Sequence, residues 1–210
     1  MIKKLYILFA FFFVVAAASA QSFEGKISYQ NKYKSKLPNV TDEQFNAMMG
    51  TTQDYFIKGS QYKINTNGTF FQWQIYIPKD NKLYNKIANS EALLWIDAST
   101  NSDELIKVET KKNAVVVLGH SCDEITLHCK SGVQRYYYST KLKVDPKPFA
   151  NLKYENFYEY ISRAQALPLK MSIETPQFIL ESIATEVKPM SLDAKLFTLP
   201  EGTKLEKSPY

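Results

Sequence analysis

Four residue types that carry much of protein chemistry are scarce in this chain. Among 210 residues there are two cysteines, two histidines and seven glycines, and Arg135 and Arg163 are the only arginines. With two histidines, the chain has few side chains suited to acid–base catalysis or metal binding. So few glycines exclude collagen-like repeats and flexible linkers. The net charge of +5 comes from scattered lysines, which argues against nucleic acid as a partner.

Motifs of the common enzyme classes are missing as well. The sequence has no Gly-x-Ser-x-Gly elbow, no His-Glu-x-x-His helix and no glycine-rich phosphate loop. Ser121 and Cys122 resemble nucleophiles, but strand neighbours point to opposite faces, so no adjacent residue can act as their base. We therefore predict no catalytic residue, no cofactor and no enzymatic activity. A hydrolase with a carboxylate pair brought together only by folding stays an alternative.

The first twenty residues have the pattern of a secretory signal peptide. Two lysines precede an apolar run of 14 residues, 5–18, and Ala18-Ser19-Ala20 is a small-x-small cleavage site. The run is shorter than the about 20 residues of a membrane-spanning helix, although a retained anchor is the alternative. Gln21 in place of a cysteine excludes lipidation at the junction. The sequence predicts cleavage after Ala20 and a single periplasmic or secreted domain over 21–210, without a transmembrane segment.

Aromatic residues are abundant, with 14 Tyr, 13 Phe and 2 Trp. They favour β-strands because they pack well on a pleated surface. Apolar and polar residues alternate over 23–30 and again over 70–77, which is typical of half-buried strands. Polar turns such as Asn67-Gly68 separate the apolar runs. The pattern predicts a mainly β (α+β) fold with about ten antiparallel strands.

Two short amphipathic helices are also predicted. Thr41 begins the first with a capping box, and Gly50 ends it. The second covers the region from Tyr154 to Ile161, where apolar residues recur at helical spacing. Each helix has one apolar stripe that must be buried against the sheet.

The candidate ligand-binding residues are apolar side chains of the two helices and of one strand. They are Phe45, Met48, Phe71, Trp73, Ile75, Phe157 and Ile161. In the functional interpretation they line an apolar pocket on a curved sheet, with the helices as a lid. In the alternative they fill an ordinary core, and the protein is a non-catalytic interaction or structural domain of the cell envelope.

Cys122 and Cys129 could form a disulfide only if the chain bends between them. In one straight strand, residues seven positions apart are separated by about 23 Å and lie on opposite faces. A disulfide needs Cα atoms within about 7 Å, whereas export to an oxidising compartment favours pairing. The disulfide and two free thiols both stay open. A metal site is not predicted, because zinc needs four ligands around one point.

Several short motifs occur in an order that resembles a known family. They are Phe23-x-Gly25-x-Ile27-x-Tyr29, Gly119-x-x-Cys122, the aromatic strand Tyr136 to Tyr138, Leu167-Pro168-Leu169-Lys170, Leu192-Asp193 and Phe197-Thr198-Leu199-Pro200-Glu201-Gly202. Together they resemble the uncharacterised exported proteins of Gram-negative bacteria grouped with the LolA/LolB lipoprotein-carrier superfamily.

The resemblance implies a LolA-like fold and a general ligand class. The fold would be an open half-barrel of antiparallel strands with helices across its concave face. The role would be the periplasmic handling of a lipid or another apolar ligand. The carrier fastens its lid with an arginine on an early strand, and this chain has no arginine before Arg135. The mechanism of lipoprotein release is therefore not expected to carry over.

Overall fold

The computed structural model describes residues 22–101 and 103–209. The predicted signal peptide, residues 1–20, lies outside the described residues. The strands are β1 (Gly25–Ser35), β2 (Thr52–Lys58), β3 (Gln61–Thr66), β4 (Phe71–Ile77), β5 (Lys82–Ile87), β6 (Leu93–Asp97), β7 (Leu105–Val117), β8 (His120–Cys129), β9 (Val133–Lys143), β10 (Ala166–Glu174), β11 (Phe178–Pro189) and β12 (Leu205–Lys207). The helices are α1 (Asp42–Met49) and α2 (Phe157–Ala164), and 3₁₀ turns form at Lys147–Phe149, Tyr154–Asn156 and Ala194–Phe197.

All twelve strands of the described residues belong to one open sheet, in the order β12-β6-β5-β4-β3-β2-β1-β11-β10-β9-β8-β7. Pairing of β1 with β11 joins two antiparallel meanders, one formed by β1 to β6 and the other by β7 to β11. Only β12, a three-residue edge strand, pairs in parallel, with β6. The mainly β prediction is confirmed, with twelve strands where about ten were expected.

Helix α2 shows how strongly the sheet is curved. Phe157 of α2 stacks on Tyr62 of β3 with ring centroids 5.9 Å apart, and Tyr160 of α2 stacks on Tyr136 of β9 at 4.2 Å. In a flat sheet β3 and β9, five strand spacings apart, would be separated by roughly 24 Å. A single helical turn separates Phe157 from Tyr160, so the two walls must curl towards each other. The open half-barrel with a helix on its concave face is confirmed.

Helix α1 covers the other end of the concave face. Its predicted capping box is present. The backbone N–H of Gln44 donates to Thr41 Oγ1, and the backbone N–H of Thr41 donates to Gln44 Oε1. Phe45 is the buried residue of this helix and packs on the rings of Tyr33 and Phe178, at centroid distances of 5.5 and 5.3 Å. Both predicted helices are therefore confirmed.

The carboxy-terminal segment packs on the convex face and buries a second apolar cluster there. The cluster contains Ile75, Tyr84, Leu192 and Phe197, with Phe56, Trp73, Ile77, Trp95, Leu196 and Leu199 packed against it. Both faces of β4 and β5 are consequently covered, the concave face by the main core and the convex face by this segment.

A carboxylate–lysine clamp attaches this segment to the sheet. Glu24 Oε1 accepts hydrogen bonds from the Leu192 amide at 2.7 Å and from Lys58 Nζ at 3.1 Å. Lys58 Nζ also donates to the Leu192 carbonyl at 2.5 Å. The Leu192 amide, followed by Lys58, lowers the pKa of Glu24 below its usual 4.5.

Acidification is expected to loosen the carboxy-terminal segment. Because the folded state lowers the pKa of Glu24, the charged carboxylate stabilises the fold above pH 4.5, and this contribution is lost as the pH falls below that value. Glu24→Gln should loosen the carboxy-terminal segment already at neutral pH. Lowering the pH should then cause no further loosening through this clamp. Tryptophan fluorescence reports on it, because Trp73 and Trp95 pack against the segment. Glu201→Gln, on an exposed residue of the same segment, is the control; equal behaviour of both variants would contradict the clamp.

Candidate ligand-binding site

The structure does not bring the seven predicted pocket residues together. Trp73 and Ile75 of β4 belong to the convex cluster under the carboxy-terminal segment. The concave face of β4 instead presents Gln74 and Tyr76, which lie opposite Ile64 and Tyr62 of β3. Both faces of β4 are rich in large side chains, so the alternation in the sequence could not show which face is concave.

The other predicted residues lie at three places. Phe45 is buried under α1, whereas Met48 on the same helix is 39% exposed. Phe71 is half-buried at the start of β4. Ile161 is fully buried in the main core, and Phe157 packs at its edge. Phe157 and Ile161 lie on α2, which directly follows the turn described next.

The turn before α2 carries the carboxyl group of Glu155. Glu155 and Asn156, in the turn before α2, adopt left-handed conformations with φ of 51° and 60°. Such conformations cost free energy for residues other than glycine. The buried Asn156 side chain holds the turn: it donates to the Asp103 carbonyl at 3.1 Å and accepts from Asn101 Nδ2 at 2.8 Å.

The charge of Glu155 acts on the pKa values of four tyrosines, which we call the tyrosine ring. They are Tyr33 of β1, Tyr62 of β3, Tyr136 of β9 and Tyr154 of the turn itself. Burial raises the pKa of each phenol, and the Glu155 carboxylate raises it further, to about 12 for Tyr33.

The surroundings of Glu155 are partly solvent and partly protein. The residue is exposed, and yet desolvation raises its pKa, the Tyr154 hydroxyl lowers it by hydrogen bonding, and Asp103 raises it again. The Glu155 side chain is therefore in contact with solvent. Among the described residues, no lysine or arginine forms an ion pair with Glu155.

Below the tyrosine ring, the sheet carries buried polar groups that lack partners. Asn31 of β1 and Ser182 of β11 lie directly opposite each other in the register and are 2% and 1% exposed. Asn31 Oδ1, Ser182 Oγ and the Tyr55 hydroxyl have no hydrogen-bond partner within the described part of the chain. Leaving such a group unpaired costs about 1–3 kcal/mol, so these atoms, which we call the polar floor, indicate a site for water or a polar ligand.

Apolar side chains border this polar centre. Half-buried residues that pack at the edge of the main core include Ile64 of β3, Met171 of β10 and Phe157 of α2. Met171 lies between Tyr136 and Ser182 in the register of the sheet. The concave face thus offers a polar centre inside an apolar, aromatic border, an arrangement suited to an amphipathic molecule.

Sequence reasoning missed Glu155, Asn31 and Ser182. One signal was available for Asn31, because it follows Ile27 and Tyr29 at alternate positions of β1 and is the polar member of an otherwise apolar face. Nothing in the sequence distinguishes Glu155 as a candidate site residue, because a single acidic residue before a helix is common.

The cysteines are free thiols in the structure, and both are buried. Desolvation raises the pKa of Cys122, and it raises that of Cys129 to about 11, with Asp103 adding to the effect. Such thiols stay protonated near neutral pH and are poor nucleophiles. Ser121 Oγ donates to Asn113 Oδ1 and has no base beside it in the described structure. No group of acidic, histidine and cysteine side chains in the described part could hold a metal ion.

Two open clefts lie away from the concave centre, at the strand ends near Ser22. One has a volume of about 700 Å³ and includes Tyr138, Lys143 and Arg163 in its lining; the other, of about 470 Å³, includes Phe23 and Met190. Within residues 22–101 and 103–209, no helix has the length and apolar character needed to cross a bilayer.

Comparison with known proteins gives a distant structural likeness. Two solved structures of PNGF-II, in space groups P21 and C2, match with a TM-score of 0.45 each and sequence identities of 15% and 16%. The alignments cover 87% of this chain but only 31% and 30% of PNGF-II, so the chain spans less than a third of those proteins. No protein-family model and no curated protein matches the chain.

Proposed function

We propose that this protein binds a small amphipathic or lipid-like molecule on the concave face of the half-barrel. The observation that carries the proposal is the polar floor of Asn31, Tyr55 and Ser182, whose buried polar atoms lack partners within the described residues and lie inside an apolar border. Buried polar atoms are normally hydrogen-bonded, so a ligand head group at this position would satisfy them. The apolar part of the ligand would cover Ile64, Phe157 and Met171, whose side chains are half-buried without one.

The cellular setting belongs to the same proposal. The leader-like first twenty residues and the resemblance to exported lipoprotein-carrier-like proteins support a role in the periplasm, after cleavage behind Ala20. The function is binding or carriage without catalysis, which agrees with buried, protonated thiols at Cys122 and Cys129.

A pair of neighbouring substitutions tests the binding face. Met171 lies on the concave face and Ser172, next to it, on the convex face, where Ser172 Oγ donates to Glu181. The purified protein should enhance the fluorescence of the uncharged apolar probe N-phenyl-1-naphthylamine. Met171→Trp should weaken probe binding at least tenfold by occupying the site, and Ser172→Trp should leave it unchanged. Thermal unfolding of both variants checks that they are folded.

Two results would contradict this proposal. One is the absence of probe binding to the folded protein together with a clean apo mass in native mass spectrometry of protein isolated from its host. The other is equal weakening by the two tryptophan substitutions, which would place the probe elsewhere.

A second candidate function is protein–protein interaction, and the edge strand β7 favours it. This strand has a partner on one side only, β8, and its Ile106 and Val116 are 69% and 67% exposed. Exposed sheet edges with apolar side chains can accept a strand from another protein. A folded protein that binds no probe would support this candidate over the first.

A further inference from the structure

Asn31 of β1 and Ser182 of β11 form a polar pair inside the concave face of the sheet. They lie directly opposite each other in the antiparallel register, and the Cβ atoms of directly opposite residues are about 4.5–5.5 Å apart. Both side chains are buried, with exposed fractions of 2% and 1%. Neither Asn31 Oδ1 nor Ser182 Oγ has a hydrogen-bond partner among the described residues, so one small polar group can bond to both.

The side chains that adjoin this pair in the sheet carry no charge. The nearest same-face neighbours along β1, β11 and β10 are Tyr29, Tyr33, Leu180, Ala184 and Met171. A charged head group is stable away from water only when an opposite charge and hydrogen bonds compensate it. These neighbours supply no opposite charge, so the surroundings of the pair favour an uncharged head group.

The two unpartnered atoms define the hydrogen bonds that the head group has to make. The amide oxygen of Asn31 can only accept, whereas the Ser182 hydroxyl also has a proton to donate. A carboxylate would leave the Asn31 oxygen without a donor, and an ammonium group would leave the Ser182 proton without an acceptor. A hydroxyl group donates and accepts, so it can satisfy both atoms at once.

The apolar side chains beside Ser182 show how a ligand reaches the pair. Met171 lies opposite Ser182, and next to them Ile173 of β10 lies opposite Leu180 of β11. All three apolar side chains are only half-buried, so solvent reaches the concave face within one side chain of Ser182. Methionine is unbranched and adapts its shape readily, so Met171 can move aside for a ligand.

We propose that Asn31 and Ser182 bind the uncharged hydroxyl head group of an amphipathic ligand. The ligand hydroxyl donates its proton to Asn31 Oδ1 and accepts a hydrogen bond from Ser182 Oγ. Its apolar chain covers Met171, Ile173 and Leu180. This inference rests on the proposed function and specifies the head group of its ligand.

Four ligands with the same decyl chain test the head group directly. Decanol, decyl methyl ether, decylamine and decanoate are each used, below their solubility and micelle limits, to displace N-phenyl-1-naphthylamine from the folded protein at neutral pH. The ether keeps the oxygen of decanol but loses its proton, and its additional methyl group would favour it on a purely apolar surface. The amine and the carboxylate are charged at this pH. Decanol should compete at least tenfold better than each of the other three.

Two variants assign the preference to this pair. Ser182→Ala and Asn31→Leu each remove one polar partner at nearly constant size, so each should reduce the advantage of decanol over the ether at least several-fold. Binding of the ether should stay within twofold. Ser182→Ala should also leave thermal unfolding unchanged, because the hydroxyl that it removes has no partner among the described residues. Ser172→Ala, on the convex face of β10, is the control and should keep the advantage of decanol.

The outcomes separate this inference from the proposed function. Equal competition by decanol and the ether would overturn the hydroxyl site while leaving an apolar binding face. Better competition by decylamine or decanoate than by decanol would overturn the uncharged head group. An unchanged advantage of decanol in both folded variants would overturn its assignment to this pair. Failure of every decyl compound to compete, together with absent probe binding, would overturn the proposed function itself. The comparison of the four ligands uses the unaltered protein, so it decides the head group even if a variant fails to fold.

Discussion

Phe149→Ala is expected to lower the free energy of unfolding by about 3–5 kcal/mol, the usual cost of deleting a large buried ring. Phe149 is 0% exposed and packs on Phe157 of α2 at a centroid distance of 5.4 Å. Its 3₁₀ turn and α2 form the layer that covers the concave face, so the cavity left by the ring cannot be filled from the sheet. Chemical denaturation followed by circular dichroism measures the change.

Ile106→Ala on edge strand β7 is the control for this prediction. Ile106 is 69% exposed, and substitutions at such positions usually change stability by no more than about 0.5 kcal/mol. A loss for Phe149→Ala as small as that of the control would mean that the layer containing α2 is not packed on the sheet in solution.

Phe197→Ala is expected to cost a similar amount, about 3–5 kcal/mol, but through the opposite face. Phe197 is 2% exposed in the convex cluster and packs the carboxy-terminal segment on β4 and β5. Because Trp73 and Trp95 border this cluster, their fluorescence should shift towards that of solvent-exposed tryptophan. Denaturation followed by tryptophan fluorescence measures both effects in one experiment.

Leu205→Ala is the matched control in the same part of the chain, because Leu205 is 45% exposed. It should leave both stability and tryptophan emission nearly unchanged. If Phe197→Ala behaved in the same way, the carboxy-terminal segment would not be part of the folded core. Trp73 and Ile75 would then be available on an open convex surface, contrary to the structure.

Local patterns in the sequence were sufficient to predict both helices and most of the strands, although not the edge strand β12. Thr41 and Gln44 form the capping box that their spacing predicts, and Tyr154 to Ile161 contains the turn and the first residues of α2. These features depend on contacts between residues at most a few positions apart. Such contacts can be predicted from the spacing of residues in the sequence. The antiparallel character of the sheet follows for the same reason, because short polar turns can join only antiparallel strands.

The candidate site could not be predicted because it depends on contacts between distant strands. Trp73 and Gln74 are neighbours in the sequence, and the pattern does not show which of them lies on the concave face. Only the packing of Trp73 against the cluster of Leu192 and Phe197 shows that it lies on the convex face. Asn31 and Ser182 come together through the pairing of β1 with β11, across most of the chain. Tyr62 of β3 and Tyr136 of β9 contact the same helix, α2, only because the sheet is curved.

The sequence by itself determined that this is a mainly β chain with two short helices, the first of them capped, and that it has many aromatic residues and a leader-like amino terminus. Periodicity, turns and caps are local, and their free energies act within a few residues. The tertiary structure alone decided the curvature, the concave face, the covering of the convex face and the position of Glu155. These depend on which of two apolar strand faces is buried against which distant segment, and that choice is made by packing over the whole sheet.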